Sequence, residues 1–204
     1  PVITSENPKW IQDYQWGLIP SWVKDLRMAE KISNSTYNAR AESIFEKASF
    51  KKAARSQRCL VLAHGFFEWH TKGKQKIPYY IKRKDNQAFA FAGLYDEWMN
   101  PENNNLTKTV TIITTEANPL LKIIHNTKNR MPVILEPDAE EEYIDKRISD
   151  LRFMEFLKPF DEEALMAYPI DKNLFLNHKD SRDPNILKSV INKLSDESPE
   201  ATLF

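Results

Sequence analysis

Short strand-like runs fill the centre of this chain, and they constrain its fold more than any other feature. Six runs of apolar, aromatic or β-branched residues are separated by polar turns, at 58–63, 66–69, 78–83, 88–95, 109–115 and 131–135. The segment 71–74 is typical of a polar hairpin tip, and 84–87 of a second turn. The centre is therefore predicted to be rich in strands.

Helical patterns lie between and after these runs, at 41–55, 137–146, 150–158 and 184–194. In the first of them, Ile44, Phe45, Ala48 and Ala53 fall near one face. Because helices punctuate the strands without regular β-α-β alternation, we predict an α+β fold with a mainly antiparallel, barrel-like β-sheet and flanking helices. We expect one domain over residues 1–195 and a frayed tail at 196–204.

Basic and acidic residues balance, with 29 of each. Zero net charge does not exclude a nucleic-acid partner, because local clustering sets the local potential. Three basic clusters are visible: Lys51, Lys52, Arg55 and Arg58; Lys72, Lys74 and Lys76; and Lys82, Arg83 and Lys84. They are either solvated surface residues or a nucleic-acid surface, and the sequence leaves both interpretations open.

The only cysteine is Cys59. A single cysteine rules out a disulfide within the chain and indicates a reducing compartment. No apolar run approaches the roughly 20 residues that a membrane span requires, and no secretory signal is visible. We expect a cytoplasmic protein with no membrane partner.

Three separated polar segments contain the parts of an acid/base site: 38–42, 65–69, and His125 with 130–132. They supply an amide, a carboxylate and an imidazole, on Asn38, Glu68 and His125, which together suit proton transfer on an anionic substrate. Glu68 lies between Phe67 and Trp69 in a predicted strand, so its side chain points away from theirs. Each residue also has an ordinary explanation: an exposed strand glutamate, a structural histidine, or an asparagine that caps a helix.

Several other chemistries lack their motifs. The chain has four glycines and no glycine-rich phosphate loop. One cysteine and four dispersed histidines lack the spacing of a zinc site, and no serine sits in a nucleophile elbow. We therefore expect no metal and no cofactor.

The motifs resemble those of the SRAP family (SOS response-associated peptidase). The resemblance runs from Trp16 to Tyr143 through WGLIPSW at 16–22, NARAE at 38–42, RCLV at 58–61, GFFEW at 65–69, PYY at 78–80, FAGLYDEW at 91–98, IITTEAN at 112–118, IH at 124–125 and RMPVIL at 130–135.

The resemblance implies a sensor of abasic sites in single-stranded DNA. A cysteine that follows the initiator Met, exposed when that Met is removed autoproteolytically, forms a thiazolidine DNA–protein crosslink. Asn38 positions the nucleophile or the sugar, Glu68 moves protons, and His125 acts on the sugar oxygen and assists crosslink reversal. Arg40 and Arg130 hold phosphates, and Trp22 stacks on bases.

This sequence departs from the family pattern at three places. It begins at Pro1, so we expect an upstream segment that carries the cysteine. Cys59, beside Leu60 and Val61, is expected to be a buried core residue and not the nucleophile. The gap from His125 to Arg130 is longer than in the His-x-Arg-Met-Pro form.

Two alternative functions remain open on the sequence alone. One is a single-strand-binding module without chemistry, and the other is a peptidase that acts on other proteins. Retention of Asn38, Glu68 and His125 favours the crosslinking protein, since a binding module needs only the arginines and the tryptophan. A monomer is favoured.

Overall fold

The computed structural model describes residues 1–177 and 184–190. Its strands are β1 (Val2–Thr4), β2 (Gln15–Trp16), β3 (Asn38–Arg40), β4 (Arg58–Ala63), β5 (Phe66–Lys72), β6 (Gln75–Arg83), β7 (Phe89–Met99), β8 (Leu106–Glu116), β9 (Arg130–Pro132) and β10 (Leu165–Pro169). Its α-helices are α1 (Leu26–Ser33), α2 (Lys51–Ser56), α3 (Pro119–Ile124), α4 (Glu140–Tyr143), α5 (Asp150–Phe156) and α6 (Lys172–Asn177). The α+β prediction is confirmed.

The chain forms two compact units. The first unit comprises Pro1–Ala63, Ala88–Glu116 and Arg130–Phe160. The second unit comprises His64–Gln87, Ala117–Asn129 and the described residues from Asp161 onward. The single domain over residues 1–195 stays a prediction, and the tail 196–204 lies outside the described residues.

The sheet of the first unit has the strand order β1-β4-β7-β8-β2, with β3 and β9 also paired to β8. Most of its pairs are antiparallel, but β2 and β3 run parallel to β8. One face carries the main core, in which small and branched strand residues such as Ala39, Ala92 and Ile113 pack with Tyr143 and Phe153. The other face carries a second buried cluster of Val2, Cys59, Tyr95 and Val110, and polar side chains where β8 pairs with β3 and β9.

The sheet of the second unit has the antiparallel order β10-β6-β5. The hairpin between β5 and β6 turns at Gly73 and Lys74, as predicted, and Gly73 has the positive φ (+60°) that such tight turns favour. Tyr80 and Ile170 form the centre of a small core. A Cβ on Gly65 would lie 2.4 Å from the Tyr80 ring, so only glycine fits the entry to β5.

The helix predicted over 41–55 is wrong. The structure has a 3₁₀ turn at Ala41–Ser43, further turns, and then α2. Ile44 and Phe50 are both buried in the core. A continuous helix turns about 100° per residue and sets these two positions about 120° apart, so the chain turns repeatedly and brings both inward.

The other predicted helices are shorter than expected. The segment 137–146 contains a 3₁₀ turn and α4, and 150–158 contains α5. Of 184–194, Pro184–Leu187 is a 3₁₀ turn, and residues 191–194 lie outside the described part. Within that described part, no helix is long and apolar enough to cross a bilayer.

Candidate active site

Glu68 and His125 meet in the second unit. Phe67 and Trp69 contact Phe175, with ring centroids 4.8 and 5.6 Å apart. Since strand residues alternate, Glu68 lies on the opposite face of β5, as predicted. Its Oε1 is 3.5 Å from His125 Nδ1. Two residues far apart in sequence thus form a carboxyl–imidazole pair.

Helix α3 delivers His125 to this pair. The helix begins at Pro119, and the Asn118 side chain caps it by accepting the Leu121 N–H. The His125 N–H donates to the Leu121 carbonyl at 2.7 Å, which ends the helix at the imidazole-bearing residue. Asn129, at φ +50°, closes the following turn by donating its N–H to the His125 carbonyl.

Two side chains that the sequence did not single out hold this turn against β5. His70 Nδ1 donates to the Ile123 carbonyl at 2.9 Å. The Asn126 amide accepts the Thr71 N–H at 3.1 Å and donates to the Thr71 carbonyl at 2.9 Å. These bonds flank His125 on both sides. His70 could have been found from its position two residues after Glu68, on the same face of the strand.

The environment of Glu68 favours the protonated acid. Its side chain is 21% exposed and that of His125 is 18% exposed. Burial raises the pKa of Glu68 above its ordinary value, while the nearby His125 and Lys128 and the Trp69 N–H oppose part of that rise. A carboxyl that keeps its proton nearer neutrality, with an imidazole beside it, can give and take protons.

Asn38 and Arg40 lie in the first unit, on strand β3. The residue between them, Ala39, is fully buried, so both side chains point to the exposed face. Arg40 is opposite Thr114 in the register with β8. Arg40 directly precedes the 3₁₀ turn and makes no side-chain capping bond to it.

Arg130 lies on the same sheet face, on the strand that pairs with the other side of β8. Its guanidinium donates to both carboxylate oxygens of Glu42, at 2.8 and 3.0 Å, and to the Thr114 carbonyl at 2.7 Å. These bonds lower the pKa of Glu42. Arg130 is therefore occupied by an internal carboxylate, a partner that the sequence did not predict.

Trp22 is presented by a loop that is fixed on both sides. Ser21 N–H donates to the buried Asp96 carboxylate at 2.8 Å. Trp98 Nε1 donates to the Val23 carbonyl at 2.7 Å. Trp22 is 42% exposed, so a fixed loop presents an accessible tryptophan.

Two further expectations from the sequence, on Cys59 and Arg58, have different outcomes. Cys59 is fully buried, as expected, and burial raises the pKa of its thiol. Arg58, counted in the first basic cluster, is not a surface cation: it is 1% exposed and its guanidinium donates to backbone carbonyls. Among residues 1–177 and 184–190, no three His, Cys, Asp or Glu side chains gather in a way that could hold a metal ion.

The structure thus joins Glu68 to His125 in one unit, and places Asn38, Arg40 and Arg130 on one sheet face in the other. The convergence of Asn38 with the Glu68–His125 pair stays a prediction.

The model of the family described as SOS response associated peptidase (SRAP) matches residues 1–175. The chain belongs to the SRAP family. The resemblance seen in its motifs is therefore confirmed.

Curated relatives of this SRAP chain carry one kind of name. It is 42% identical over 190 residues to abasic site processing protein YoqW of Bacillus subtilis (strain 168), covering 92% of this chain and 80% of the relative. It is 30% identical over 198 residues to abasic site processing protein HMCES of Gallus gallus, covering 87% of this chain and 56% of that protein.

Solved structures agree with the fold. A protein from Bacteroides thetaiotaomicron matches with a TM-score of 0.88 and 42% identity, over 93% of this SRAP chain and 80% of its own. A protein from Bordetella bronchiseptica matches with a TM-score of 0.69 and 25% identity, over 78% and 76%.

Proposed function

We propose that this SRAP protein processes abasic sites in single-stranded DNA by forming a thiazolidine crosslink through an N-terminal cysteine expected ahead of Pro1. The observation that carries the proposal is the Glu68–His125 pair, a proton-transfer device held on two fixed elements. The names of the curated relatives supply the substrate class. A module that only bound DNA has no use for such a pair.

The proposed chemistry balances without a cofactor. The ring-opened abasic sugar presents an aldehyde. The cysteine α-amine condenses with it to an imine and releases one water. The thiol then adds to the imine carbon and its proton passes to the nitrogen, which closes the thiazolidine.

The Glu68–His125 pair moves the protons of these steps. His125 takes and returns the proton on the sugar oxygen as the ring opens, and it assists reversal. Glu68, whose raised pKa keeps it protonated nearer neutrality, protonates the departing hydroxyl as the imine forms. The same carboxyl serves removal of the initiator Met, and Asn38 positions the nucleophile or the sugar by its amide.

DNA is held by the remaining predicted residues. Arg40 and Arg130 contact phosphates through the guanidinium fork. Trp22 stacks on an unpaired base, a contact worth roughly 1–3 kcal/mol that bases in a duplex cannot make.

The test is denaturing gel electrophoresis of the protein with an abasic single-stranded oligonucleotide. The form that carries the N-terminal cysteine should give a heat-stable adduct, and the same form with that cysteine replaced by serine should not. The chain from Pro1 to Phe204 should bind the oligonucleotide without a stable adduct. An adduct formed by this chain would contradict the proposal, because Cys59 or a lysine would then be the nucleophile.

A further inference from the structure

Charge is segregated along parts of two of the segments that build the second unit. Residues 69–84 contain six lysines and arginines, and residues 117–129 contain two lysines, yet neither segment contains an aspartate or glutamate. The whole chain, by contrast, has equal numbers of both signs. These two segments therefore carry a local positive charge that the net charge conceals, although the same unit also contains the acidic residues Glu68, Asp85 and Asp161.

Three of these cations form the tip of the β5–β6 hairpin, here called the basic tip: Lys72, Lys74 and Lys76. All three are exposed, and Lys74 sits in the turn itself. Residues 68, 70 and 72 share one face of β5, so Lys72 lies on the face that carries Glu68. Four residues of strand separate them by about 13 Å.

The cations at the opposite end of β6 are engaged with neighbours. Lys84 pairs with Glu163 at 3.5 Å, and Arg83 pairs with Asp85 at 2.5 Å. Lys82 donates to the Asn86 side chain at 2.7 Å. Within the described residues, no ion pair involves a lysine of the basic tip. One end of the hairpin thus has cations that are bound to neighbouring side chains, and among the described residues the lysines of the other end make no ion pair.

The basic tip is fastened to the turn that bears His125. His70 and the backbone of Thr71 make the three hydrogen bonds to Ile123 and Asn126 described above. Lys128, in that same turn, acts electrostatically on Glu68. Lys128 near the carboxyl–imidazole pair and the lysines of the basic tip therefore belong to two segments that these hydrogen bonds hold together.

We propose that the basic tip binds backbone phosphates of the DNA strand that flanks the abasic nucleotide; this rests on the proposed function. The exposed residues of the tip are lysines, glycine and glutamine, with no aromatic or aliphatic anchor. Protein interfaces are depleted in lysine, whereas phosphate contacts use it. The basic tip would thus bind the DNA strand next to the site without contacting its bases.

The test compares two double variants of one hairpin with the same loss of charge: Lys72→Gln/Lys74→Gln at the tip and Lys82→Gln/Lys84→Gln at the other end. The probe is a fluorescent single-stranded 20-mer with a central tetrahydrofuran residue, which cannot open to an aldehyde. Anisotropy titrations from 50 to 400 mM KCl give the dissociation constant and its salt dependence.

The tip variant should lower the slope of log affinity against log salt by about 1.4, or about 0.7 for each phosphate that is no longer neutralised. Its affinity near 100 mM salt should fall about tenfold, and the control should stay within about twofold of wild type. On an oligonucleotide with one nucleotide on each side of the lesion, the tip variant should match wild type. Circular dichroism confirms that both variants fold.

Equal losses of DNA affinity in the two variants would overturn the proposal for the basic tip, because positive charge anywhere on the hairpin would then be enough for binding. A wild-type protein that does not bind the 20-mer would overturn both proposals. A protein that carries the N-terminal cysteine and binds with the expected tip dependence, but forms no crosslink with an abasic strand, contradicts the proposed function alone.

Discussion

Arg58 in the first unit and Glu68 in the second are both ionisable side chains largely withdrawn from water, and their surroundings differ sharply. Arg58 donates to the carbonyls of Tyr143, Ala54, Arg55 and Asp145, and its guanidinium lies 5.6 Å from the centre of the Phe153 ring. Its donors are taken up by fixed backbone acceptors. Four of its five N–H donors are used in these bonds, which join the end of α2 to Tyr143 and Asp145, and at 1% exposure the cation is out of reach of a ligand.

Among the described residues, Glu68 has no comparable set of partners. Its contacts are an imidazole nitrogen at 3.5 Å and the Trp69 N–H at 3.4 Å, both longer than a good hydrogen bond. Burial is therefore only partly offset, and the pKa of the carboxyl rises. A saturated buried charge stabilises a fold, whereas an unsaturated one is available for proton transfer.

The largest expected effect is on the reaction of Glu68→Gln. Loss of a general acid should slow crosslinking by about 10²–10⁴-fold with little change in DNA affinity. Single-turnover rates on denaturing gels and anisotropy titrations measure the two quantities. Weakened DNA binding with an unchanged crosslinking rate would show that Glu68 only shapes the surface that binds DNA.

The pH profile sharpens that prediction. The pKa of Glu68 is higher in the folded protein than in the unfolded chain. At pH values between these two pKa values, the folded protein keeps the Glu68 proton and the unfolded chain does not. The contribution of Glu68 to the free energy of unfolding therefore falls as pH rises through that range. As pH rises through the folded pKa, the wild-type rate should lose its general acid, and the glutamine variant should lack that limb.

The next effect is on stability, for Arg58→Met. The substitution keeps an apolar chain but leaves several buried carbonyls without a donor, and we expect a loss of about 3–5 kcal/mol in the free energy of unfolding. Urea unfolding measures it. The matched control is Arg55→Met, which removes an exposed pair with Asp150 and should cost about 1 kcal/mol or less. Equal losses of stability in the two variants would mean that the carbonyls bound by Arg58 find other donors.

A smaller effect is expected from Asn126→Ala. Loss of the two bonds to Thr71 lets the His125 turn shift from Glu68, so crosslinking should slow about tenfold at unchanged DNA affinity. Asn126→Asp keeps the acceptor for the Thr71 N–H, and its crosslinking rate should lie between those of wild type and Asn126→Ala. A fall in the rate that follows the loss of folded protein in a thermal melt would indicate a purely structural role.

The strands were largely predictable because their signals are local. Each of the runs 58–63, 66–69 and 78–83 lies within β4, β5 or β6. The helix over 41–55 was wrong because burial of Ile44 and Phe50 depends on the core that surrounds them, not on periodicity. Helix α3 was missed although Asn118 and Pro119 give its start signal.

The carboxyl and imidazole of the candidate site could be predicted from the sequence, but the hydrogen bonds that hold them in place could not. Motifs singled out Glu68 and His125, which the structure pairs. The bonds of His70 and Asn126 go to backbone atoms, which carry no sequence pattern. The assignment of Arg58 to a surface basic cluster was wrong for the same reason: its partners are backbone carbonyls, and a run of basic residues does not show which one points into the core.

The smallest expected effect concerns a third kind of charge, the exposed pair between Glu42 and Arg130. A phosphate that binds Arg130 must displace the Glu42 carboxylate, which those hydrogen bonds keep ionised by lowering its pKa. Glu42→Gln should therefore tighten single-stranded DNA binding, by up to about fivefold if the pair is worth about 0.2–1 kcal/mol. Glu46→Gln removes the same charge from the neighbouring turn and should change affinity less. Anisotropy titration of the two variants at one salt concentration measures the difference. If Glu42→Gln weakens binding instead, the carboxylate does not compete with the phosphate but orients the guanidinium for it, and Arg130, unlike Arg58, is then a held cation that still binds a ligand.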